Sequence, residues 1–251
     1  MQSPQWISHL IKKQKHLYTQ IYTNNKGRPL MKKERWFDFN QIIYMIGLIV
    51  IGTLGRFILV SLKIQPFPNF EIIMVVTFIA AIFLRPTIAI FVPLLSMIFS
   101  DLLIGNAIYT GDPMNKIVLF TYSGFALIAV SSIFNRNRFR KGLSEIRLKN
   151  IGIAAGLGVG FVLIYDVWTN LGWWYLIYPH NLSSLAVVFT TGLPFMIYHM
   201  LSGLVTFVAV ALPLVAYISK KSDTELPLKI KNIHKIPVIA ITILLIILSL
   251  Y

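Results

Sequence analysis

Long apolar runs separated by short polar breaks dominate this chain. A bilayer core needs about 20 apolar residues in helical form. Runs of that order fall at 41–61, 70–84, 87–104, 116–134, 151–170, 193–217 and 236–251. Pro, Asn, Gly and clustered charges punctuate them. The pattern predicts an all-α membrane protein with six principal transmembrane helices and an additional C-terminal one. The second run is short. Four segments follow: 1–38, a basic cytoplasmic N-terminal segment; 39–218, a six-helix membrane domain; 219–235, a basic cytoplasmic linker; and 236–251, the extra helix. Lysines and arginines interrupt residues 1–38 throughout, so no signal-peptide core is expected there. Trp6, Ile7, Leu10, Ile11, Leu17 and Ile21 recur at roughly helical spacing, which reads equally as an interfacial helix or a basic tail.

Composition narrows the class. Hydrophobic residues make up 56% of the 251 and charged ones 13%, too apolar a balance for a soluble domain of this length. The absence of cysteine excludes disulfides, thiolate metal sites and cysteine nucleophiles. A formal net charge of +14 raises nucleic acid as a partner, but the distribution of that charge answers the question. With the N-terminus cytoplasmic, segments 1–40, Arg85, 135–150 and 218–235 hold 20 of the 23 Lys and Arg residues. That is the positive-inside pattern of a multi-pass protein of the cell membrane, so no nucleic acid is expected and anionic lipid accounts for the basicity.

Ionisable groups within apolar spans cost about 3 kcal/mol each on insertion scales, so each is a functional candidate until a structural partner is found. Arg56 sits toward the outer part of the first span, Glu71 opens the second, Asp101 lies near the outer end of the third and Asp166 near that of the fifth. His199 lies in the outer half of the sixth. Arg56 paired with Asp101 or Glu71 could simply hold helices together. The convergence of acids, an arginine, a histidine and amides on one side of several helices points instead to a water-filled outward pocket.

The stretch "YDVWTNLGWWYLIYP" adds rings to that side. Trp168, Trp173, Trp174, Tyr175 and Tyr178 suit an interfacial aromatic belt. Gly172, Pro179, His180 and Asn181 beside them read as a loop or broken helix, so the segment is expected to be one wall and the lid of a ligand pocket. Before it, Gly152, Gly156 and Gly160 form a GxxxGxxxG face for close helix packing. Gly52 and Gly55 repeat the idea at closer spacing, with Ser96 and Ser100 as a weaker pair. The sequence contains no GxxxxGK[ST] loop, HExxH motif or GxSxG elbow, so an ATP-driven function requires separate ATPase chains. No cofactor, metal or catalytic residue is expected.

Two blocks resemble a known family. Arg56, then Pro68, Asn69 and Phe70, then Ser100 and Asp101 before a glycine are similar to the substrate-binding S components of energy-coupling factor vitamin transporters and their DUF6580-like relatives. Thr169, Asn170, Trp174, Tyr178, Pro179 and the run Leu193, Pro194, Phe195 match a second signature of those relatives. Glu71 departs from the family pattern, as do His199, where an Asn is common, and the seventh span. The resemblance implies a six-helix S-component-like bundle with a small vitamin-like or nucleobase-like ligand near the outer surface. It also implies a transmembrane coupling protein and cytoplasmic ATPases as partners. The binding set expected is Arg56, Asn69, Glu71, Asp101, Asp166, Asn170, Trp173, Trp174, Tyr178 and His199. A structural membrane scaffold of the MreD kind is the alternative; a membrane enzyme using Asp101, Asp166 and His199 is a third reading.

Overall fold

The computed structural model describes residues 39–62, 71–106, 113–222 and 235–250. Residues 1–38, including the N-terminal segment read as helix or tail, lie outside the described residues, as do most of 219–235 and Asn69. The described residues form helices α1 (Phe39–Ser61), α2 (Glu71–Phe83), α3 (Pro86–Ala89), α4 (Phe91–Ile104), α5 (Ile117–Gly142), α6 (Leu148–Ile177), α7 (Leu182–Thr206), α8 (Leu212–Ser222) and α9 (Ile236–Leu250). Five helical stretches are long and apolar enough to cross a membrane: α1, α3 with α4, α5, α6, and the 39-residue path of α7 into α8. The protein is thus a multi-pass membrane type, but the expected count of six plus one is not met on length, because α2 and α9 are shorter apolar helices.

The 13 residues of α2 span only about 20 Å at 1.5 Å per residue. It is apolar all round and buried all round: every residue from Ile73 to Leu84 is inaccessible to solvent or nearly so. Such a helix belongs in a core rather than against lipid. Phe78 at its centre meets the rings of Phe139, Phe161 and Phe207 at centroid distances of 5.8, 5.7 and 5.4 Å. Ile82 and Leu84 at its end are buried, so their carbonyls need a partner within the protein. Arg136 of α5 supplies it, donating to the carbonyls of Leu84 and Ile82 at 3.1 and 2.8 Å. Arg140 lies over the Phe83 ring at 5.1 Å. Two residues counted in the sequence as topology-setting charges are therefore buried structural groups.

α1 shows the inversion that lipid imposes. It buries Gln41, Gly52, Thr53 and Arg56 while exposing Ile43, Ile46, Val50, Leu54 and Ile58. Gln41 Oε1 accepts from the Arg85 amide at 2.9 Å. Gly52 lies against Ser96 and Gly55 against Ile72, so these glycines are spent on packing within the chain.

The chain through the expected lid is mostly helical. α6 continues to Ile177, and the interruption is limited to 178–181. Tyr178, preceding Pro179, takes the extended conformation that a following proline favours. Asn181 then caps α7, its Oδ1 accepting from the Ser184 amide at 2.9 Å. α7 and α8 are joined through a π-helical segment, Phe207–Ala211, and α7 contains Pro194. At the other end of the chain, α9 packs on α5 and α3, with Val238 buried beside Ala126, Ala129 and Ile133. Its last turn is tied to α6 by a bond from the Tyr175 hydroxyl to the Leu250 carbonyl at 2.9 Å.

Among the described residues, the glycine stripe is not the face that packs. Gly152, Gly156 and Gly160 meet no described residue within 4 Å beyond their own helix, so this face is not where α6 meets α7. The close approach is made by Gly158, where a Cβ would overlap the Gly203 carbonyl. Gly158→Val should therefore cost about 1–3 kcal/mol by overpacking and lower the thermal midpoint in detergent, whereas Gly156→Val should leave it nearly unchanged. Equal effects of the two substitutions would contradict this contact.

Candidate ligand-binding site

Beyond the Gly158–Gly203 contact, α6 and α7 present facing stripes to each other. On α6, Asp166, Thr169, Asn170 and Trp173 recur at helical spacing; on α7, Val188, Thr191, Phe195 and His199 do the same. Together with Ile117 and Thr121 from the start of α5, and with Tyr165, Tyr178, Gly192 and Met196, they enclose a cavity of about 410 Å³. That volume suits a small organic molecule, and the mix of rings with a few converging polar groups is usual for ligand pockets.

The polar groups are held in place. His199 Nδ1 lies 3.2 Å from each oxygen of the Asp166 carboxylate, joining α6 to α7 at the inner end of the cavity. The Asn170 amide occupies space left by the missing side chain of Gly192, where a Cβ would stand 3.0–3.1 Å from its oxygen and nitrogen. Tyr165 hydrogen-bonds with Thr121 and packs on Phe125 at 4.9 Å. Three other aromatics brace the wall from behind. Trp168 Nε1 donates to Ser123 at 2.8 Å, Trp174 Nε1 donates to Ser184 at 3.0 Å, and Tyr175 stacks on His180 at 5.3 Å.

Of the residues expected to bind ligand, Asp166, Asn170, Trp173, Tyr178 and His199 line the cavity. Trp174 does not; its ring is engaged with Ser184 and His180 at the turn between helices. Arg56 and Asp101 do not line it either. They form a separate buried network in which Arg56 Nη1 donates to Asp101 Oδ1 and to Ser100 Oγ, each at 2.6 Å. Asn106 and the Tyr122 hydroxyl donate to the same carboxylate at 3.1 and 2.9 Å. Three donors take up most of its accepting capacity, and the network joins α1, α4 and α5. Asn69 and the Glu71 side chain lie outside the described residues. Asp101, Asp166 and His199 do not assemble into one cluster, and no group of three metal-ligating side chains occurs among the described residues.

The model of a family of unknown function, DUF6580, matches residues 37–226. The chain belongs to this family. The match spans α1 to α8 and so includes every cavity residue of this DUF6580 chain, while α9 lies beyond it. No curated protein and no solved structure matches the chain.

Sequence reasoning missed Thr121, Thr191, Gly192 and Met196 in this DUF6580 site. For Thr191 and Gly192 the cause is a helix boundary: a sixth span starting at 193 leaves them in a loop, although Asn181 followed by Ser183 and Ser184 is a readable helix start. Thr121 carried no signal, because hydroxyls in membrane helices usually bond their own backbone, as Thr121 also does to Ile117 at 3.1 Å.

The two buried acids should respond differently to mutation. Asp101→Ala strips the partner from buried Arg56 and should cost about 3–5 kcal/mol of stability. Asp166→Asn should cost much less, because the amide oxygen can still accept from the His199 ring. Thermal unfolding of both variants in the same detergent checks this, and a larger loss from Asp166→Asn would refute the division of roles.

Proposed function

We propose that this protein is the membrane-embedded substrate-binding subunit of an energy-coupling factor transporter, capturing a small vitamin-like or nucleobase-like molecule for uptake. The observation that carries this reading is the cavity itself: about 410 Å³, lined by Trp173, Tyr178 and Phe195 for ring contacts, with Asp166, Asn170 and His199 to orient a ligand. It lies at the end of α5, α6 and α7 opposite the exposed cluster of Arg138, Lys141, Arg147 and Lys149. By the positive-inside rule that basic end is cytoplasmic and the cavity faces outward. Six membrane-embedded helical units, counting α2, then form the binding domain and α9 a seventh.

A scaffold needs no cavity with several converging polar groups, which favours binding over the MreD-like reading. Without a nucleotide-binding motif, the energy for release inward comes from partner ATPases through a coupling protein, which tilt or reorient the loaded subunit. The chain binds its ligand without altering it.

Purification in mild detergent, followed by mass spectrometry of what the protein retains, should recover a small heteroaromatic compound, and a parallel pull-down should recover an ATPase or coupling subunit. Trp173→Ala should reduce retention about tenfold by loss of a ring contact. Absence of both the compound and the partners would overturn the reading.

A further inference from the structure

We infer that the cavity accepts a flat ring carrying a positive charge or a cluster of hydrogen-bond donors and discriminates against anions, with Asp166 as the group that meets the ligand. This rests on the cavity being a binding site, and it goes beyond that reading by naming the charge class of what is bound.

The two buried acids of this chain supply the argument. Asp101 accepts from an arginine, an amide and a phenol, which leaves little for a ligand. Asp166 is equally buried, yet among the described side chains its carboxylate is met by His199 alone, through one ring nitrogen 3.2 Å from both oxygens. A carboxylate offers about four acceptor sites. One long, shared donor leaves most of that capacity directed at the cavity, which Asp166 lines. Buried acceptor capacity left unfilled is costly, and a bound cation or donor pair fills it.

The rest of the lining agrees in sign. No Lys or Arg among the described residues lines the cavity. Arg56 is occupied by Asp101 and Ser100 in the separate network. The aromatic walls act in the same direction, since the faces of Trp173 and Tyr178 attract cations through the ring quadrupole. Asn170, Thr169 and Thr191 complete a set able to orient a planar group from its edge. An anion would have to settle on the first turn of α5 at Ile117, with Asp166 facing it across the same cavity.

The test uses three planar probes of the same size and different charge: benzamidine, cationic at neutral pH, neutral benzamide, and benzoate. Each is titrated into the full chain in uncharged detergent, with binding read by calorimetry and by tryptophan fluorescence. Benzamidine should bind at least tenfold more tightly than benzamide, and benzoate should show no saturable binding. Asp166→Asn should erase the advantage of benzamidine over benzamide. The inference is overturned if benzoate binds as well as benzamidine, if Asp166→Asn leaves the ranking intact, or if none of the probes saturates the cavity. Failure to recover an ATPase or coupling subunit would count against the transporter reading alone, because the charge ranking is measured on the isolated chain.

Discussion

Arg136 donates to the carbonyls of Ile82 and Leu84, and that pair of hydrogen bonds sets terms for much of the bundle. The residues at the end of α2 are buried, so its final carbonyls would be stranded without a donor from elsewhere in the protein. Once α5 provides that donor, its height relative to α2 is fixed. Thr121, 15 residues earlier, then stands about 22 Å up the same helix, at the floor of the cavity. Phe78 and the three rings around it fill the space between. Capping at one end thus determines what can be presented at the other.

Much of the architecture was legible because lipid allows so little else. Apolar run length found the helices, and the polar residues within those runs found most of the interior contacts. Run length failed at α2, where the run is apolar for burial in protein rather than for contact with lipid. It failed again at Tyr178–Asn181, where four residues do the work that a longer loop was expected to do. Trp173, Trp174 and Tyr175 therefore stand on helical backbone, so this part of the cavity wall is organised before a ligand arrives.

Spacing alone could not tell Asp101 from Asp166, as both stand near the end of an apolar run. Their difference lies in how many donors the fold brings to each carboxylate, which is a property of neighbours far away in sequence. The same limit explains the glycines. Gly156 and Gly160 satisfy the spacing rule, but Gly158 lies about 200° around the helix from Gly156 and is the one with Gly203 opposite it. A motif names residues able to permit close approach; only the partner helix decides which of them is used.

The bond between Tyr175 and the Leu250 carbonyl carries a mechanical implication. α6 is held along one flank by α7 at Gly158 and near its end by α9, a helix outside the span of the family model. α7, by contrast, runs through Pro194, which cannot donate to the helix ladder, and leads into the π segment Phe207–Ala211. The two walls of the cavity therefore differ in build: α6 carries flanking contacts from two other helices, while the ladder of α7 lacks the Pro194 amide within the stretch that bears Phe195 and His199.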